Sequence, residues 1–481
     1  MPTTRHDSEE CMRNGLHIRA LGVAAITVLV WFGALGRTSG RAVAAPARVE
    51  AVTGAEDSTH AIMHATVIDP TRGAVEQRDM TIIIRGGRIL SVGPTGSSDI
   101  PSGAVLHDAA GRFVIPGLWD AHVHLSQAGP RAFPLFIANG ITSVRDMGSN
   151  LAQVSQWKAD RAAGALIPRI ITPGPKLDGG SVIHSFFLRL LKGSDYEQRI
   201  ITSPADARHT VDALKARGVD FIKVHNSLTP PLYDAIVTEC RKDQLPFAGH
   251  LPVAGPLAAA TAGQRTIEHG RGMLLCSPDT WARIRSDPKA HADAEYCAPG
   301  PVQPVLFPEL VHAGTWFTPT LVSWRGHAMV GDPALAGWIA ALPGDSAVWP
   351  AFRHHWDDMA GPTPTAFERQ LLGQFGALAV AASRAGVPLL AGTDLGDPYV
   401  IPGFALHDEL ELMVAAGVTP LVALKSATSE PARAFGLAET VGAIASGQAA
   451  DLVVLDGDPL ADIQNTRRIY AVVLNGRWLA R

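Results

Sequence analysis

Between Val114 and Asp394 the chain repeats one pattern, a short apolar run followed by a longer amphipathic stretch. The opening run is Val114-Ile-Pro-Gly-Leu-Trp-Asp-Ala-His-Val-His-Leu125. Seven more follow: Ile141–Arg145, Ile167–Pro173, Asp220–Val224, Phe247–His250, Arg265–His269, Thr315–Leu321 and Val387–Thr393. Helical stretches such as Ala205–Arg217, Tyr233–Lys242, Leu257–Gly263 and Phe375–Ala385 lie between several of them. Strands separated by crossover helices are parallel. Eight such units predict an α/β fold with a (β/α)8 TIM-like barrel over residues 114–437. An open doubly wound sheet is the structural alternative. No Gly-x-Gly-x-x-Gly follows the first strand, which weakens any case for a dinucleotide site.

Both flanks of this region have a different texture. Thr66–Ile68, Met80–Ile84, Arg88–Val92 and Ala104–Leu106 are β-rich runs broken by Asp69-Pro70, Gly86-Gly87 and Pro94-Thr-Gly96. Ala450–Asp456 and Tyr470–Gly476 repeat that texture at the other end. Neither flank alone buries a robust core, so the two are expected to pair as one small β-sandwich domain, 61–113 with 438–481. Residues 45–60 read as a flexible mature N-terminus. Residues 1–44 read as a signal peptide: Arg13, His17 and Arg19 precede the apolar run Ala20–Gly36, and Ala42-Val43-Ala44 suits cleavage. That reading expects a periplasmic or secreted protein with no stable membrane insertion after cleavage. An N-terminal membrane anchor is the alternative, and Met12 is an alternative start. Removal of the leader leaves Cys240, Cys276 and Cys297. The last two bracket a polar insertion and either form a disulfide or remain free thiols.

The apolar strands end in a selective set of polar residues. His122 and His124 alternate onto one face of the first. Lys223 ends Phe221-Ile222, His250 ends Phe247-Ala-Gly249, His269 ends Thr266-Ile-Glu268, and Asp394 follows Leu389-Leu-Ala-Gly-Thr393. Each alone has a bland explanation as a hydrogen-bonded strand end, a turn residue or a snorkelling lysine. Together they would require separate accidents at the same end of five strands, and functional groups of such a barrel sit at that end. Four imidazoles and a carboxylate can hold divalent cations. Lys223 as an ammonium would repel them. A desolvated lysine has a lowered pKa, however, and a neutral amine adds carbon dioxide to give an anionic, bidentate carbamate. The reading assigns His122, His124 and Asp394 to one cation and His250 and His269 to another, with Lys223 between.

This constellation resembles the amidohydrolase superfamily, in the branch with a carboxylated lysine on strand four. Val114–His124 is similar to that family's strand-one motif, Ala391-Gly-Thr-Asp394 to its strand-eight motif, and Ala427–Ala432 and Gly442–Leu455 to its closing segments. Within it the chain looks nearest to imidazolonepropionase-like and prolidase-like hydrolases. The resemblance implies two divalent cations, zinc by family habit, N6-carboxylysine at Lys223, and hydrolysis of an amide-like C–N bond by a metal-bridging hydroxide. It makes Asp394 the catalytic base and then acid. Alternatives are a lactone or ester hydrolase on the same site, a mononuclear deaminase or imidazolonepropionase-type ring hydrolase, and a binding protein without catalysis.

Substrate selection is less legible. His225 falls on the same strand face as Lys223, and His184 lies in the Gly-rich stretch after strand three; both are candidate substrate-binding residues. Family dipeptidases show a Ser-Gly-Gly-like stretch after the strand-four lysine, where this chain has His225-Asn-Ser-Leu-Thr-Pro-Pro231. Arg145 and Asp146 read as a structural ion pair. Trp281, Trp316, Trp324, Trp338, Trp349 and Trp356 read as packing of extra helices or as walls of an apolar pocket. The net charge of −4, without a long basic run, gives no support to a nucleic-acid partner. A small-molecule substrate is expected, and self-association is left open.

Overall fold

The computed structural model describes residues 58–97, 99–180, 197–274, 305–329 and 366–480, without the side chains of 366–370. The leader, His184, the Cys276–Cys297 pair and Trp281, Trp338, Trp349 and Trp356 lie outside these residues.

Both chain ends enter one mixed sheet. Its strands are β1 (His60–Ile68), β2 (Glu76–Arg85), β3 (Arg88–Pro94), β4 (Val105–Asp108) and β5 (Phe113–Pro116), joined by three from the C-terminal end. The sheet runs from that end through β5, β1 and β2 to β3, with β4 also on β1. Period-two alternation explains its packing. Ile62, Met80, Ile82, Ile84, Ile89 and Val114 share one core cluster with Leu452, Val454, Ala471 and Val473. Ile82 is fully buried there, and truncating such a residue to alanine costs about 2–5 kcal/mol.

The run that reads as one opening strand is two. β5 belongs to the terminal sheet, and β6 (Leu118–Val123) begins the parallel region. Gly117 separates them because a side chain there would meet Thr142 Oγ1 at 2.1 Å. β6 pairs in parallel with β7 (Ile141–Asp146), which pairs with β8 (Arg169–Ile171). A second parallel sheet has the order β10 (Gln198–Ile201), β9 (Lys176–Gly179), β11 (Ile222–Val224), β12 (Phe247–Gly249), β13 (Thr266–Glu268), β14 (Trp316–Thr318). The sequence does not single out β9 and β10, which extend this sheet beside β11.

Two sets of hydrogen bonds connect the parallel sheets. Asp220 N donates to Thr172 O over 2.8 Å, linking the approach to β11 with the end of β8. On the other side, the segment Pro388–Leu395 lies between β14 and β6: Leu390 N donates to Phe317 O, Ala121 N to Ala391 O, and Asp394 N to His122 O. β15 (Leu452–Leu455), β16 (Ile469–Leu474) and β17 (Arg477–Ala480) complete the terminal sheet, with β15 antiparallel to β5.

The helices follow from caps and stripes. In Pro204–Ala216, Ser203 accepts from Asp206 N, Pro204 opens the first turn, and Ala207, Thr210, Val211 and Leu214 bury at helical spacing. Pro230–Lys242 also opens on proline, without a side-chain cap bond from Thr229, and turns Leu232, Ile236 and Cys240 inward. Among the described residues no helix is long and apolar enough to cross a membrane.

Candidate metal centre

The structure brings together the residues that end the parallel strands. His122 is the penultimate residue of β6 and His124 follows that strand. Asp394 leaves the segment between β14 and β6. Its Oδ1 lies 3.3 Å from His122 Nε2 and 3.4 Å from His124 Nε2, and its Oδ2 lies 3.4 Å from His269 Nδ1. The ring of His269 is 4.7 Å from that of His122 and 4.9 Å from that of His250. Lys223 is the middle residue of β11 rather than its end, because Val224 continues the pairing with β12; it is buried, and its Nζ has no hydrogen-bond partner among the described residues.

Backbone geometry is specialised at this point. His269 has φ 65° and Asp394 φ 58°, both left-handed, and so does Thr320 at φ 50°, whose Oγ1 lies 2.9 Å from His269 Nδ1. Non-glycine residues in this region cost of order 1–3 kcal/mol each and cluster at functional sites. Gly392 lets the Asp394 segment approach β6: a side chain there would meet His122 Cβ at 2.7 Å and Thr318 Cγ2 at 2.8 Å. Gly249, at φ 136°, does the same beside Lys223, where a Cβ would come within 2.2 Å of Val224 O.

Buried charges set the electrostatics. Burial pulls the Lys223 ammonium down to about 7, against the opposing pull of Glu268 and Asp394. Burial, followed by the nearby Lys223 amine, holds His250 well below the usual imidazole range; burial does the same for His269, and there Asp394 opposes it. For Asp394 burial acts upward, but the imidazoles of His269 and His122 outweigh it and hold the carboxyl well below its ordinary value. The centre therefore presents a carboxylate, imidazoles and an easily deprotonated amine.

The donor set suits divalent cations. Ligand atoms of a tetrahedral site with bonds of about 2.1 Å lie roughly 3.4 Å apart. The nitrogens of His122 and His124 stand at such separations from Asp394. Among the described residues His122 Nε2 and Lys223 Nζ are buried polar atoms without hydrogen bonds, a costly arrangement that a bound cation and a carbamate would relieve. The ligand atoms of His122, His124 and Asp394 all lie within 4.8 Å of one another. A second such group, Asp212, Glu239 and Asp243, is partly exposed and salt-bridged through Lys215 and Lys242.

Three supporting residues escape a strand-end reading of the sequence. Glu268 Oε2 lies 2.8 Å from His122 Nδ1 and accepts from Arg145 Nη2 over 2.8 Å, with all three side chains fully buried. Burial would raise its pKa, but Arg145 and then His122 hold it far below the carboxylate range. Asp120, pushed up by burial to about 7, accepts from Thr393 N, Thr393 Oγ1 and His122 N, joining β6 to the Asp394 segment. Asp146 accepts from Leu125 N, Ser149 Oγ and Thr172 Oγ1. The expected Arg145–Asp146 pair is thus corrected: neighbours on a strand face opposite sides, and Arg145 pairs with Glu268 instead. The available signal was a charge inside an otherwise apolar strand.

His225 lies at the edge of the centre, its ring 4.4 Å from that of His250 and its Nδ1 2.7 Å from Asp178 Oδ2. Trp316 and Trp324 are buried; Trp324 stacks on Phe375 with Arg271 over its ring.

Residues 113–479 match the Amidohydrolase family, and the chain belongs to that family of hydrolases acting on carbon–nitrogen bonds. An imidazolonepropionase of Ralstonia nicotianae is 27% identical over 430 residues, covering 85% of this chain and 93% of that enzyme. An adenine deaminase of Rubrobacter xylanophilus is 25% identical over 445 residues; the match covers 88% of this chain but only 58% of the deaminase. A solved Xaa-Pro dipeptidase with methionine bound in its active site has the same fold, with TM-score 0.64 and 22% identity, covering 88% of this chain and 100% of its own.

Proposed function

We propose that this chain is a binuclear metal-dependent hydrolase that cleaves an amide-like C–N bond. The observation that carries the reading is the buried Lys223 amine, without a hydrogen-bond partner among the described residues and under the electrostatic influence of Glu268 and Asp394. In this reading His122, His124 and Asp394 would hold one cation and His250 and His269 the other, and a carboxylated Lys223 would serve both. Zinc suits this nitrogen and oxygen donor set.

Such cations, when bound, make a shared water nucleophilic near neutral pH and polarise a carbonyl. The rest of the work falls to the chain. Glu268 and Thr320 orient imidazoles. Asp120 and Gly392 seat the Asp394 segment against β6. Asp394 takes the proton of the attacking water and returns it to the leaving nitrogen. Lys223 would be spare in a mononuclear deaminase or ring hydrolase, which favours the binuclear reading.

The architecture in this proposal is a closed (β/α)8 barrel over 114–437. The Asp220–Thr172 and Leu390–Phe317 bonds support closure. The core shared by strands of both chain ends supports a curled, sandwich-like terminal domain. Export after removal of residues 1–44 also belongs to the proposal, and N-terminal sequencing of the mature protein tests it.

The functional test is a panel of dipeptides, N-acyl amino acids and lactones presented to metal-replete protein. Hydrolysis of an amide member that a chelator abolishes and zinc restores is the expected result. Turnover of lactones alone would move the protein to ester chemistry, and no turnover at all would remove the hydrolytic reading.

A further inference from the structure

The segment that follows β11 places more around His250 than a strand exit requires. Asn226 Oδ1 lies 2.5 Å from His250 Nδ1. Ser227 N donates over 2.7 Å to Asp178 Oδ1, which also accepts from Gly179 N over 3.0 Å. The other oxygen, Asp178 Oδ2, accepts from Gln198 Nε2 over 2.9 Å and contacts His225 Nδ1 at 2.7 Å. Four partners fix this buried carboxylate, and it in turn fixes the His225 ring. Because the carboxylate already accepts from three N–H groups, Nδ1 of His225 serves it as a fourth donor. That tautomer leaves Nε2 with a bare lone pair, and among the described residues Nε2 has no hydrogen-bond partner.

The same arrangement recurs at His122, with Nδ1 against Glu268 and Nε2, 3.3 Å from Asp394 Oδ1, making no hydrogen bond among the described residues. An imidazole whose Nδ1 donates to a carboxylate is the usual form of a metal-ligating histidine. The ring of His250 lies 4.4 Å from that of His225 and 4.9 Å from that of His269. The six-residue set described above makes no use of His225.

We propose that His225 is an additional imidazole ligand for the cation on the His250–His269 side, oriented by Asp178. This inference rests on the two-cation reading above. Asp178 is a positioning residue here, acting only through the His225 ring. With a neutral amide at position 178, the atom facing Nδ1 becomes a donor whenever the oxygen stays on Ser227 N and Gly179 N, so the His225 tautomer inverts and Nε2 loses its lone pair.

Cobalt(II) tests this without any substrate. Full-length protein is stripped with a chelator, reloaded with cobalt, and followed by visible absorption and by competition with a chromophoric chelator. His225→Ala is expected to weaken one of two cobalt ions by at least tenfold and to change its absorption bands. Asp178→Asn is expected to weaken the same ion by about 10–100-fold. If His225→Ala does not fold, His225→Gln takes its place beside Asp178→Asn. Wild-type affinity and bands in both variants, with two ions on the wild type, overturn the His225 assignment alone. A loss confined to the His225 variants supports the ligand and overturns the role of Asp178. A wild-type chain that binds no cobalt overturns the underlying centre, and His225 with it.

Discussion

His122 Nδ1 lies 2.8 Å from Glu268 Oε2, and neither side chain is exposed to solvent. The same oxygen accepts from Arg145, so one carboxylate balances a buried guanidinium and aims a candidate metal ligand. Glu268→Gln preserves the shape and removes the charge. Breaking one partner of a buried pair costs about 3–5 kcal/mol, and loss of the orienting carboxylate weakens metal affinity about 10–100-fold. Urea denaturation and a metal titration on the same preparation check both effects. Wild-type values in both would leave the Glu268–His122 contact without consequence.

Lys223 gives the metal-free chain a characteristic pH dependence. Its pKa lies at about 7 when folded and near 10.4 when unfolded. Between these values the unfolded chain holds a proton that the folded chain lacks, so stability rises with pH through that window and is flat below it. Lys223→Met removes the group. Denaturation of both proteins in carbon dioxide-free buffer should show the wild type gaining on the variant from about pH 7 to 10. Parallel profiles would contradict the buried, unpartnered amine.

Gly392 is required where the Asp394 segment crosses His122 and Thr318. Gly392→Ala is expected to cost about 1–3 kcal/mol through overpacking and to weaken metal binding by displacing Asp394 from His122. Thermal melts with and without added zinc measure the two effects. A variant with wild-type stability and zinc response would show that this close approach is dispensable.

Asp394→Asn tests proton transfer. The amide keeps an oxygen for a cation but cannot carry the proton, so kcat should fall about 10²–10⁴-fold. Metal content measured on the same sample separates a chemical defect from a lost ligand. Undiminished kcat on a hydrolysed amide would remove Asp394 from the proton path.

Much of the site was legible because its residues interrupt apolar strands at one end. His124, His250 and His269 directly follow β6, β12 and β13, Asp394 follows the segment beside β6, and His122 and Lys223 interrupt the apolar strands β6 and β11 from within; all of these positions are set by local pattern. Glu268, Asp120 and Arg145 were not legible in the same way. Their roles depend on which strands become neighbours, and strand adjacency is a long-range property. His225 was visible as a histidine on the strand face of Lys223. Its partner Asp178 was not, because β9 is a four-residue strand with little apolar periodicity. The break at Gly117 was hidden for a related reason: only the approach of Thr142 reveals why the chain needs a glycine there.

Metal content measured per chain is the most direct test of the central claim. Full-length protein, purified without chelator and reloaded with zinc and bicarbonate, should carry two divalent cations by mass spectrometry. Lys223→Ala, prepared identically, should carry no more than one. One cation or none on the wild type, or two retained without Lys223, would contradict a binuclear centre bridged by that lysine.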